Sequence, residues 1–165
     1  MIYNTLDVLF TRSIFQNIVM TEVLILDQIT TSDCREIGIE KAIWTLSSAK
    51  PGNGIEQLRD GNLETFWQSD GAQPHCINIQ FINKVTINKL CIYLDYNLDE
   101  SYTPKKIGIR AGTCTHDLIY ITSIELQEPI GWVTMILSPL NEVGNGNEPV
   151  YLRTHFLQVT YLKYF

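Results

Sequence analysis

Three histidines, four cysteines and one group of loop carboxylates are the side chains of this sequence that could do covalent or metal chemistry. His75, His116 and His155 stand alone: none forms an HxH or HExxH pair, and no cysteine–histidine set has metal-ligand spacing. Each reads as a surface or turn residue rather than a ligand. Cys34, Cys76, Cys91 and Cys114 are 42, 15 and 23 residues apart, with no CxxC and no CxxH. An even count allows two disulfides in a secreted domain, and structural thiols in an intracellular one. The second reading is favoured, because Cys76 and Cys91 sit in apolar, strand-like runs where a thiol behaves as a small hydrophobe. Asp95, Asp99 and Glu100 cluster, and a carboxylate pair across a cleft can cleave a glycosidic bond. Loop carboxylates are usually solvated instead. No GxSxG, Walker A or GxGxxG occurs. Gly144-Asn145-Gly146-Asn147 opens no helix after a strand and reads as a turn. These residues name no catalyst, no metal and no cofactor.

A binding chemistry fits two further stretches, Thr65-Phe66-Trp67-Gln68-Ser69-Asp70-Gly71 and Leu98-Asp99-Glu100-Ser101-Tyr102-Thr103-Pro104. Rings give contact area while Ser, Asp and Gln orient a ligand. The competing reading is that Trp67 belongs to the core and the rest is turn chemistry.

The elements that must position these loops are strands. Ile77, Ile79 and Phe81 alternate with Cys76, Asn78 and Gln80. Ile107, Ile109 and Ala111 alternate with Lys106, Gly108 and Arg110, and Leu157, Val159 and Tyr161 with Gln158 and Thr160. A period of two puts one face on a core and the other on solvent or a second sheet. Further β-rich runs cover Ala42–Ser47, Val85–Tyr96, Leu118–Leu126 and Trp132–Leu137, separated by Gly-, Pro- and Asn-containing turns. One helical turn fits Gly54–Asp60, with Ile55 and Leu58 three apart. Many short strands with such turns predict an all-β sandwich or jelly roll.

The chain has 165 residues, 45% of them apolar and 18% charged, which suits one globular domain and excludes wholesale disorder. The net charge of −6, with only 12 Lys and Arg, argues against nucleic-acid binding. No apolar run is long enough for a membrane helix, and the first twenty residues lack the plan of a signal peptide. These features suggest an intracellular protein. Residues 1–32 are weakly periodic and read as an N-terminal extension that could hold a short helix, with Met20 an alternative start.

Several long runs carry a resemblance. They are Arg35-Glu36-Ile37-Gly38, Ala42 through Gly52 (AIWTLSSAKPG), Gln57 through Gly71 (QLRDGNLETFWQSDG), Gln73-Pro74-His75, Asp99 through Pro104 (DESYTP), and Glu128-Pro129-Ile130-Gly131-Trp132. Through them the sequence resembles the DOC-domain subunit family of the anaphase-promoting complex, a cell-cycle ubiquitin ligase of mitosis and cell division. The resemblance covers about residues 33–163, so 33–165 reads as the DOC domain.

That resemblance implies a galactose-binding-like jelly-roll β-sandwich without catalytic activity. It implies a co-receptor that binds destruction-box degrons together with a WD40 coactivator and promotes processive ubiquitination. It also implies the other complex subunits as partners, and a nuclear and cytoplasmic location. By matching motif, the degron-binding residues are Ser101, Asp99, Glu100 and Tyr102, with Gln68, Ser69, Asp70 and His75 on a neighbouring loop as further candidates. The acidic pair is expected to favour basic residues in the bound segment.

Family members continue past the strand matching His155–Leu162 into an Asn-His-Gln-Asn-Gly-Arg-type loop, a last strand and an Ile-Arg tail, and none of these is found here. The expectation is an unpaired sheet edge beside His155–Leu162, covered by residues 1–32 or by a partner. The alternative on the same sandwich is a carbohydrate- or small-ligand-binding module, for which the Asp60-Gly61-Asn62 turn could hold a structural cation.

Overall fold

The computed structural model describes residues 6–7, 42–98, 102–137 and 151–162. In chain order the elements are β1 (Leu6–Asp7), β2 (Ala42–Leu46), α1 (Ile55–Arg59), β3 (His75–Ile87), β4 (Lys89–Asp95), β5 (Lys106–Gly112), β6 (Ile119–Glu125), β7 (Ile130–Ile136) and β8 (Leu152–Leu162). β2 to β8 fall on the alternating and β-rich runs and the helical turn on α1, whereas β1 lies in the N-terminal stretch, where no strand is expected. The apolar run Val85–Tyr96 is two strands in two different sheets, broken at Asn88.

Five strands in the order β2-β3-β8-β5-β6 face three in the order β1-β4-β7, and every pairing is antiparallel. Alternation explains the packing. Ile77 and Ile79 of β3, Ile107 and Ile109 of β5, and Leu157 and Val159 of β8 are fully buried on one face of the larger sheet. They meet Leu90, Ile92 and Leu94 of β4, also buried, from the smaller sheet. Each such side chain contributes about 1.5–3 kcal/mol of burial.

The outer faces differ. On the larger sheet, Gln158 Nε2 donates to Asn78 Oδ1 at 2.9 Å, and Asn78 Nδ2 to Thr45 Oγ1 at 3.4 Å, across three neighbouring strands. Burial pushes the Cys76 thiol up from its ordinary range, partly offset by its contact with Thr160 and the charge of Arg110. On the smaller sheet, Tyr93 and Trp132 pair edge to face at 5.5 Å, flanked by exposed Ile130 and Ile136.

The expected place of an open edge is corrected by the topology. β8, which contains His155–Leu162, is interior: it pairs with β3 on one side and β5 on the other. The described N-terminal residues lie elsewhere, with Leu6 opposite Ile92 and Asp7 opposite Cys91 on β4. Cys91 is buried, Cys76 half-buried and Cys114 exposed, and all three are free thiols.

Candidate binding site

The registers bring three connections to one end of the sandwich. Leu46 lies opposite Ile77 and His75 opposite Tyr161, while Lys106 lies opposite both Leu162 and Glu125. Residues 47–74, 96–98, 102–105 and 126–129 therefore emerge together. They are stitched by backbone bonds from Tyr96 N to Pro129 O (2.9 Å) and from Leu126 N to Lys105 O (2.9 Å).

Segment 47–74 is long, and a free loop of that length would be mobile. Here it is fastened from below. Trp67 is fully buried, its ring meets Tyr161 edge to face at 5.6 Å, and its indole Nε1 donates to the Ser48 carbonyl at 2.9 Å. Leu58 of α1 is buried beside it in the core. Cross-braces complete the loop: Lys50 N donates to Gln68 O (2.8 Å), Gln68 N to Asn53 O (3.1 Å) and Asn53 Nδ2 to Phe66 O (3.2 Å). Trp67 thus belongs to the core, and the binding chemistry is left to its neighbours.

The turn at Asp60-Gly61-Asn62 closes on itself. The Asp60 carboxylate accepts from Asn62 N at 2.8 Å and from the Thr65 hydroxyl at 2.6 Å. Among the described residues, no group of three His, Cys, Asp or Glu is placed to hold a metal ion.

Above this support runs a chain of polar side chains. The Ser48 and Ser69 hydroxyls share a hydrogen bond of 2.7 Å, and Ser69 Oγ shares another of 2.7 Å with His75 Nδ1. Asp70 N donates to Ser48 Oγ at 3.1 Å. A serine touching a histidine is the minimum of a nucleophilic dyad. Ser69 instead divides its hydroxyl between Ser48 and His75, so the bonds run along the loop and hold its shape. A Cβ at Gly71 would stand 2.9 Å from Ser48 Oγ, so a larger residue there would displace the Ser48 side chain from its bonds. The Gln73–Pro74 peptide is cis. Held this way, Asp70 is exposed while Gln68, Ser69 and His75 are half-buried.

Tyr102 stands on the second connection, 48% exposed, with Lys50 Nζ 5.8 Å from its ring centroid. That cation–π approach joins the two loops. Gln68, Ser69, Asp70, His75 and Tyr102 are therefore gathered at one end of the sandwich. Asp99, Glu100 and Ser101 lie outside the described residues. Sequence reasoning missed Ser48 and Lys50 as members of this end. Their signal is faint: a serine just past a strand and a lysine before a Pro-Gly turn.

Comparison with known proteins follows the same lines. A family model described as anaphase-promoting complex, subunit 10, matches residues 20–164. The Homo sapiens protein named anaphase-promoting complex subunit 10 is 52% identical over 132 residues, 80% of this chain and 67% of its own length. The Dictyostelium discoideum protein of the same name is 54% identical over 127 residues, 77% of this chain and 63% of its own length. Among solved structures, a carbohydrate-binding module from Clostridium perfringens, in complex with GalNAc-β-1,3-galactose, superposes with a TM-score of 0.59 at 14% identity. It covers 74% of this chain and 84% of its own. Identity that low shows a shared fold alone, and the fold is the galactose-binding-like jelly roll.

Proposed function

The chain belongs to the anaphase-promoting complex subunit 10 family, and on that premise we propose that it captures destruction-box degrons together with a WD40 coactivator. In this role it has no active site of its own and promotes processive ubiquitination by holding the substrate. Other subunits of the complex are its partners, and it works in the nucleus and the cytoplasm. The degron lies across the loop end, on Tyr102 and Ser101 with Asp99 and Glu100 beside them, and reaches Gln68, Ser69, Asp70 and His75.

The observation that carries this reading is the junction of the two loops at Lys50 and Tyr102. It turns two separate sequence motifs into one surface, braced from the core and offering an aromatic ring beside hydrogen-bonding groups.

A photo-crosslinking amino acid at position 102, in the reconstituted complex, tests it. The expected result is a crosslink to a destruction-box peptide that requires the WD40 coactivator and disappears when the box is scrambled. Absence of any crosslink from position 102, or retention of the isolated chain on immobilised galactosides with no peptide bound, overturns it.

A further inference from the structure

Two edge strands of the sandwich are built differently. In the larger sheet, β6 pairs with β5 alone among the described residues. Its pairing slips register between Ile109 and Arg110, and it ends in Glu125, whose Oε1 lies 3.3 Å from Lys106 Nζ. A break in register and a charge are both means by which an edge resists further pairing. In the smaller sheet, β7 pairs with β4 alone among the described residues, without a break from Ile130 to Ile136. It contains no charged residue and no proline. A φ of 101° at Gly131 confines the regular part of this edge to Trp132–Ile136.

We propose that the free edge of β7 takes up an added β-strand, an extended and uncharged segment supplied by another subunit of the complex. The proposal rests on the chain's membership of a family of complex subunits and is independent of degron binding.

The backbone decides the conformation of the occupant. Alternate residues of an edge strand turn their N–H and C=O groups away from the neighbouring strand, a row that another extended chain can match residue for residue. The side chains decide its chemistry. Trp132 and Ile136 stand on the outer face, 47% and 51% exposed, with the Tyr93 ring against Trp132. Thr134 between them is exposed and neutral. The charges on the adjoining strand are confined to its two ends, with Lys89 opposite Ile136 and Asp95 opposite Ile130. A strand laid along Trp132–Ile136 therefore meets apolar cross-strand neighbours and no charge, so alternate apolar residues suit it. Membership of a complex decides its source. An unguarded edge on a free protein invites pairing with the wrong chain, whereas a subunit can keep it filled within its assembly.

Residue-resolved hydrogen exchange of the full chain, free and in the reconstituted complex, tests this. Strand addition should slow the amides of alternate residues in β7 on assembly. These are either Trp132, Thr134 and Ile136 or Val133 and Met135, because the other set already faces β4. Docking through side chains alone would not produce that alternation. The double substitution Thr134→Lys with Ile136→Lys places two charges on the outer face of the edge. It should weaken incorporation about tenfold in competition with the unaltered chain. Tyr120→Lys, on the guarded edge β6, should leave incorporation unchanged. All three positions are exposed, and the exchange measurement on the unaltered chain stands even where a variant folds poorly.

Exchange in β7 that is the same in the free and the assembled chain overturns the proposal, as does undiminished incorporation of the folded double variant. Alternating protection that appears in the free chain as its concentration rises, with no other subunit present, assigns the edge to a second copy and overturns it too. Loss of the crosslink from position 102 would leave the alternation in β7 untouched, so the two readings fail separately.

Discussion

At the end of the sandwich where β3 begins, residues 47–74 hang from a fully buried indole. Trp67 is bonded to the Ser48 carbonyl and wedged against Tyr161. At the opposite end, the turn between β5 and β6 hangs from one exposed carboxylate. Asp117 accepts from Thr113 N at 2.8 Å, from Cys114 N at 2.9 Å and from the Thr113 hydroxyl. Those bonds, the Thr113 hydroxyl first, hold the Asp117 carboxyl down to about 2, below the ordinary 3.8. A short turn can be fastened by its own atoms. A loop that must present residues over a wide surface borrows its rigidity from the core.

The strongest way to break that contrast is Trp67→Ala. Loss of a buried aromatic of this size should cost about 3–5 kcal/mol in urea unfolding, and amide protection through residues 48–71 should fall with it. Retained protection in that loop, at reduced global stability, would show that the cross-braces suffice without the indole.

Ser48→Ala comes next. It removes the hydroxyl bonded to Ser69 and to Asp70 N, and should cost about 1–2 kcal/mol. The same substitution should loosen the loop and weaken peptide capture, while leaving the Thr113–Asp117 turn unchanged in exchange rate.

Tyr161→Phe sharpens the contrast from beneath. The Tyr161 hydroxyl is buried with no hydrogen-bond partner among the described residues, and burial pushes its ionisation far up. Removing it should leave stability unchanged or raise it by up to about 1 kcal/mol in thermal unfolding. A loss of that size would show that the hydroxyl has a role in holding Trp67.

The smallest effect belongs to acid. A carboxyl held lower in the folded chain than in the unfolded one stabilises the fold above the unfolded value, and that contribution is lost as pH falls through the folded one. The Thr113 and Cys114 amides should therefore lose protection between about pH 3.8 and 2, and Asp117→Asn should abolish that dependence. The loop around Trp67 should pass through the same range with its Ser48 carbonyl bond intact.

What could be read from the sequence follows from what periodicity encodes. Alternation reports which face of a strand is buried, so Ile77, Ile107 and Val159 were legible as core. It is silent on strand order, so the interior place of β8 was not legible, nor was the change of sheet at Asn88 within an unbroken apolar run. Trp67 was ambiguous because polar neighbours surround it in sequence while its ring turns the other way. Ser69 was legible within a polar, aromatic loop that suits binding, whereas His75 entered the candidate set only through the family resemblance. Lys50 and Tyr102 meet only because two loops leave the same end, and no local pattern records that approach. The left-handed backbone of Glu128 has no signal in residue type, since glutamate is not a residue that favours it.

The interior place of β8 has a consequence for synthesis. β2 with β3, and β5 with β6, can each pair as soon as they emerge, but the strand that joins them is the last of the described elements. Until it is made, β3 and β5 each keep a row of unpaired backbone groups facing an empty slot, open to pairing with another chain. Pairings such as His75 with Tyr161 span about half of the chain, so closure is slow as well as late. The nascent protein should therefore depend on protection from self-association until residues 152–162 have cleared the ribosome.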